Sequence, residues 1–186
     1  MTYKCVISLF LYVWLTAETI QDFRDRRIPL WFSIVPLSLG LIVFLLYRSM
    51  GAATLMAVSI AATNLTQSTL RRILTILPLA GVAMLGYVPL AVGWLLFYMV
   101  WELGAMGAAD ALAGAYLLIW FPTWIMLASI VTGVLLWNLG ALLLRYGCEA
   151  GLRLWTTIAN RAKPTRVPSI GAFLIALPLF VLWSIR

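Results

Sequence analysis

The chain has no histidine and only two cysteines, Cys5 and Cys148, which form no Cys-x-x-Cys pair. A zinc or iron–sulfur site built from the usual soft ligands is therefore not expected, nor is a framework of disulfides. Charge is equally scarce: 10% of the 186 residues are charged, against roughly a quarter in soluble domains. With 64% hydrophobic residues and a mean hydropathy of +1.03, the composition excludes a soluble globule and reads as an integral membrane protein. Apolar stretches occupy nearly the whole length, without internal repeats or low-complexity segments, so one membrane domain over residues 1–186 is expected. The net charge of +7 would suggest a nucleic-acid partner in a soluble protein. Between apolar spans the same charge has a more ordinary explanation in membrane orientation, and no nucleic-acid partner is expected.

The expected fold is all-α, a polytopic transmembrane bundle of about eight spans, within a range of six to eight. The spans run roughly Lys4 to Gln21, Leu30 to Tyr47, Gly51 to Leu70, Ile73 to Leu85, Tyr87 to Trp101, Leu103 to Phe121, Thr123 to Leu144 and Ser169 to Trp183. Glu18 and the lack of a small-residue cleavage site make the first of them an uncleaved anchor rather than a secretory signal. The stretch Ile73 to Trp101 reads either as one long tilted helix or as two short ones broken near Gly86, and loop charge decides between them. With two helices and the N-terminus outside, Arg24, Arg26, Arg27, Arg71, Arg72, Arg145, Arg153, Arg161, Lys163 and Arg166 all fall in inner loops. Only Lys4, Arg48 and Arg186 of the 13 basic residues then lie outside, the distribution that the positive-inside rule favours. The basic segment Tyr146 to Val167 reads equally as an amphipathic helix on anionic lipid or as a solvated loop.

Two acids stand out against this background. Asp22 closes the first span, and Asp110 lies in the small-residue run Gly104-Ala105-Met106-Gly107-Ala108-Ala109-Asp110-Ala111. A carboxylate in or at the edge of hydrocarbon is costly and marks chemistry or ion movement. In the eight-span topology both lie on the cytoplasmic side and can meet at one depth. Asp22 has a plainer reading as an i, i+4 partner of Arg26. Asp110 does not, because its nearest basic neighbours in sequence are Arg72 and Arg145. Glu18, four before Asp22 on the same helical face, is a rival acid, a tuner of the pair or a satisfied interfacial carboxylate. Glu102 and Asp25 read as helix-end charges. The polar run Thr63, Asn64, Thr66, Gln67, Ser68 and Thr69 reads either as the lining of a water path or as interhelical hydrogen bonding near the end of the third span.

The two acid motifs resemble those of the type IV prepilin and preflagellin peptidases, membrane aspartyl proteases of the GxGD type. The family's first motif has an aspartate seven residues before the proline of a basic-Ile-Pro-Asn signature. Asp22 and Pro29 hold that spacing, with Arg24, Arg26, Arg27 and Ile28 between them. The second is Gly-x-Gly-Asp, or Gly-Gly-Ala-Asp, followed by x-Lys. Here Gly107, Ala109 and Asp110 match, while Leu30 stands where Asn or Asp is usual and Leu112 where Lys is usual. The resemblance implies catalytic Asp22 and Asp110, with Pro29, Gly107 and Ala109 as motif residues near the substrate, and no metal or other cofactor. It further implies prepilin-like precursors as substrates and partners, cut between a basic leader and an apolar helix at the cytoplasmic face of a prokaryotic cell membrane. The cysteine-rich insert of the longer bacterial enzymes is absent, and with it any case for N-methyltransferase activity.

The chemistry is consistent with the residues alone. Two carboxyls a few ångströms apart share one proton; the ionised one activates water while the protonated one polarises the scissile carbonyl. Two other classes stay open: a non-catalytic assembly subunit of a pilus or secretion system, and a proton- or cation-coupled transporter, which would also carry intramembrane acids.

Overall fold

A computed structural model describes residues 2–25, 29–104, 106–146 and 170–185. Among these residues every regular element is a helix: α1 (Thr2–Asp25), α2 (Leu30–Tyr47), α3 (Met50–Ala62), α4 (Ser68–Met84), α5 (Val88–Glu102), α6 (Ala108–Trp120), α7 (Trp124–Tyr146) and α8 (Ile170–Ile185).

The breaks have local causes. Ser49 sits in extended backbone and its hydroxyl accepts the Ala52 N–H at 3.2 Å, capping α3. The expected helix break near Gly86 is present: Gly86 has φ +90°, and the Tyr87 N–H reaches back to the Val82 carbonyl at 3.2 Å, closing α4 in a left-handed glycine stop. Pro89 then sits in the first turn of α5, where its missing N–H costs nothing. Two boundaries differ from expectation. The third helix ends at Ala62 rather than continuing to Leu70, because the Thr63 hydroxyl and the Asn64 amide turn back onto the Ile60 and Ala61 carbonyls and terminate it; Ser68 to Leu70 open α4 instead. The polar run is thus a turn and a helix start. The sixth helix begins at Ala108, not Leu103, because Gly104, at φ +72°, ends the preceding segment and Gly107 is extended.

Packing runs along the chain and then folds back on it. α2, α3, α4, α5 and α6 make successive neighbour contacts with α6 returning to α2, while α8 packs on both α7 and α1. Close approach relies on missing side chains. A Cβ on Gly133 would lie 2.5 Å from the Ala172 carbonyl oxygen, and one on Gly114 would lie 2.5 Å from the Phe97 ring. A buried polar knot joins three helices: the Trp94 indole donates to Ser59 at 2.9 Å, and Ser59 donates to the Thr75 carbonyl at 2.6 Å.

Contacts between helix ends define two faces of the bundle. On one, Arg71 at the start of α4 pairs with Glu102 at the end of α5, and Phe23 near the end of α1 meets Trp137 of α7 edge-on at 6.3 Å. On the other, Arg48 past the end of α2 donates to the Trp120 carbonyl at the end of α6, and Phe44 packs edge-on against Tyr87 in the α4–α5 turn. The end of α1 and the start of α6 belong to the first face.

Of the described helices, α7 alone is both long and apolar enough to cross a bilayer, through Trp124–Ala141 with mean hydropathy 1.7. α3 and α6, 13 residues each, are about 20 Å long, short of the ~30 Å hydrocarbon thickness. Large apolar side chains nonetheless cover the outside, among them Leu144, Met84, Leu103, Leu77 and Leu135.

Because α7 and α8 touch through backbone at Gly133, Gly133→Val should force them apart. Thermal unfolding of the purified variant should show a loss of about 1–3 kcal/mol or more. An unchanged midpoint would contradict the close α7–α8 approach.

Candidate active site

The sequence-predicted residues gather at the first face. Asp22 lies near the end of α1 and Asp110 at the third position of α6, and Glu18 stands one turn, about 6 Å of rise, before Asp22. Asp22 and Asp110 are both half-buried, whereas Glu18 has no exposed surface at all.

An acid so enclosed needs donors, and three helices supply the setting. The Tyr116 hydroxyl of α6 donates to Glu18 Oε2 at 2.9 Å, and the Ser33 hydroxyl of α2 donates to Oε1 at 3.4 Å. The Trp14 indole, one turn earlier on α1, lies beside the carboxyl and donates to the Phe32 carbonyl at 2.7 Å. Tyr116 and Ser33 are themselves fully buried. Composition and motif matching gave no sign of either: Tyr116 sits inside the apolar run Ala115-Tyr116-Leu117-Leu118, and Ser33 is a lone hydroxyl in α2. The available signal was a phenol within the apolar stretch that follows Asp110 in α6, which needs a partner when buried.

Asp110 is placed by its own helix. Its Oδ2 accepts the Gly107 N–H at 3.2 Å, the return half of a capping box across the first turn of α6. A Cβ on Gly107 would come within 3.1 Å of that oxygen. Ala109 is partly buried against the core, and Pro29 is the N-cap residue of α2, its carbonyl accepting the Phe32 N–H at 3.0 Å. Asp110 and Glu18 are near enough for like-charge repulsion. Asp22 is partly buried near the end of α1. Arg26, the partner in the alternative reading of Asp22, lies outside the described residues, as does nearly all of the Tyr146 to Val167 segment. Leu112 packs against the core, and Leu30 is the first residue of α2.

Glu102 does more than end a helix. It receives Arg71 at 3.0 Å and Arg72 at 3.1 Å, clamping α4 to α5, with the Tyr98 ring alongside. No group of three or more potential metal ligands occurs among the described residues.

Comparison with family models, with curated proteins and with solved structures finds no match for this chain.

Desolvation alone would raise the Glu102 carboxyl, but the Arg71 and Arg72 hydrogen bonds outweigh it and hold the group below its usual 4.5. A depressed folded-state value stabilises above the unfolded value and loses that contribution as pH falls through the folded one. Wild type should therefore exceed Glu102→Gln in stability near neutrality, with the gap closing as pH is taken below about 4. Unfolding midpoints measured across pH 7 to 3 check this; a gap that persists in acid would refute it.

Proposed function

We propose that this chain is a polytopic membrane aspartyl endopeptidase of the prepilin-peptidase kind, removing the basic leader from prepilin-like precursors at the cytoplasmic face of a prokaryotic membrane. The observation that carries the reading is the convergence of the end of α1, with Asp22, and the start of α6, with Asp110, on one face of the bundle around a buried carboxyl. The apolar exterior supports the membrane setting, since exposed apolar surface on this scale is foreign to soluble monomers. The helix ends also agree with the charge-derived topology: Arg24, Arg71 and Arg72 share the face that bears the acids, and Arg48 lies on the other. Short helices such as α3 and α6 fit a bundle whose site lies at membrane depth but opens to water, because hydrocarbon need not be spanned where protein covers the chain.

In the proposed reaction Asp22 and Asp110 share a proton. The ionised carboxyl takes a proton from water as that water adds to the scissile carbonyl. The protonated one hydrogen-bonds the developing oxyanion, and the proton taken from water passes to the leaving amine as the C–N bond breaks. The exposed Gly107 and Ala108 leave space beside Asp110 for an extended peptide. A proton-coupled transporter is the second reading, favoured by the buried Glu18, which such a carrier would protonate and release.

Asp22→Asn and Asp110→Asn should each abolish cleavage of a co-expressed prepilin-like precursor, with the double variant little worse than either, because both groups serve one step. An immunoblot for the shortened substrate reads this, with membrane levels of enzyme unchanged. Normal processing by Asp110→Asn rules out the dyad, and no processing by wild type across several precursors points to an assembly subunit.

Cysteine labelling should also place positions near Arg26, Arg71 and Lys163 on the cytoplasmic side and positions near Arg48 and Gly86 on the opposite side. Finding Arg26 and Lys163 on opposite sides would break the eight-span topology.

A further inference from the structure

The two helices that carry the aspartates do not lie backbone to backbone. α1 packs chiefly on α8, and α6 chiefly on α2 and α5. Side chains bridge the interval, and the bridge is the Tyr116–Glu18 hydrogen bond at 2.9 Å, steadied from α2 by Ser33. It lies one turn behind Asp22 on α1 and six residues, about 9 Å, beyond Asp110 on α6. Because α1 ends and α6 begins at the same face, both aspartates lie on the same side of this contact.

We propose that Tyr116 is a positioning residue of the cleavage site: by donating to Glu18 it sets the spacing and register at which α1 presents Asp22 to Asp110 on α6. This rests on the endopeptidase reading above. Tyr116 touches neither substrate nor water in this role; it acts through Glu18. The polar and charged groups facing Glu18 are Tyr116 and Asp110 from α6, Ser33 from α2, and Trp14 from its own helix. Loss of the phenol hydroxyl would leave a buried carboxyl without its shortest hydrogen bond, and α1 would shift or admit water to satisfy it. A displacement of about 1 Å between catalytic groups lowers turnover by roughly 100-fold while leaving substrate contacts nearly intact.

The test uses the full-length protein in membranes, with a prepilin-like precursor bearing a basic leader ahead of an apolar helix. Tyr116→Phe should lower kcat by roughly 10- to 100-fold with KM held within about twofold, and without loss of membrane-inserted protein. Adding Glu18→Gln should restore part of that loss, since a neutral amide in place of the orphaned acid no longer drives α1 away. Tyr47→Phe, on an 81% exposed residue, is the control and should behave as wild type. Independently of activity, spin labels at Ala17 and Ala108, in a Cys5→Ser, Cys148→Ser background, should report a longer or broader α1–α6 distance in Tyr116→Phe than in its parent. Unchanged kcat in Tyr116→Phe, while Asp110→Asn is inactive, overturns the positioning role and leaves the endopeptidase reading standing. An unchanged label distance overturns it as well. If wild type and Asp110→Asn are equally inactive, the endopeptidase reading fails and the positioning role falls with it, whatever the labels show.

Discussion

A carboxyl with no exposed surface, one turn before the charged end of α1, is the constraint around which this bundle is arranged. Removing Glu18 from water without compensation would cost several kcal/mol, so the fold must bring donors to it from elsewhere in the chain. It does so from two directions at once: Ser33 from the adjacent helix and Tyr116 from a helix nearly a hundred residues away. Those two bonds require α1, α2 and α6 to share one neighbourhood. The apolar contacts then follow from this arrangement, with Leu11 and Leu15 buried on α1 and Leu117 and Leu118 buried on α6. A non-directional hydrophobic interior would tolerate a helix sliding by a residue or rotating by a fraction of a turn. A carboxyl with fixed donors does not.

The same constraint explains how a shallow charge pattern becomes a site. Helix α6 begins with Gly107 and closes its first turn through Asp110, so that the acid is aimed by its own backbone. Helix α1 carries Asp22 one turn past Glu18, and so is aimed by the neighbour that holds Glu18. Each aspartate is therefore oriented locally, and their mutual placement depends on a third contact deeper in the bundle. The Arg71–Arg72–Glu102 clamp completes this face by holding the start of α4 to the end of α5, from which the short Leu103–Gly107 connection delivers α6.

Much of the helical layout could be read directly from residue patterns. Loop charge separated α4 from α5, and the stop at Gly86 is where a glycine after an apolar run would put it. The second helix runs from Leu30 to Tyr47 as expected. Boundaries failed where polar side chains redirect the backbone: Thr63 and Asn64 end α3 early by bonding carbonyls behind them, an effect invisible to hydropathy, which averages them into the surrounding apolar residues. For the candidate site, sequence placed Asp22, Asp110 and Glu18 within one neighbourhood. It did not rank Glu18 as the buried member, because burial of an acid is decided by which distant side chains arrive with donors, and Tyr116 gives no local pattern that reports it. Glu102 shows the same gap, since its arginine partners lie about thirty residues upstream and meet it only when α4 and α5 pair.

The run of small residues around Asp110 divides on inspection into two uses that sequence alone merges. From Ala111 onward it is packing: Ala111, Ala113, Gly114 and Ala115 are buried, and Gly114 is small because the Phe97 ring fills the space its side chain would take. Before Asp110 the run is open: Gly107 and Ala108 are exposed. The aspartate thus stands at the boundary between a close-packed helix and an open first turn. A deeper acid would be sealed in by the alanine-lined packing, as Glu18 is sealed against Tyr116. One placed before the helix would lose the Gly107 N–H that fixes its oxygen. The third position of α6 meets both requirements, which is why the small residues on either side of Asp110, chemically so alike, are needed for opposite reasons.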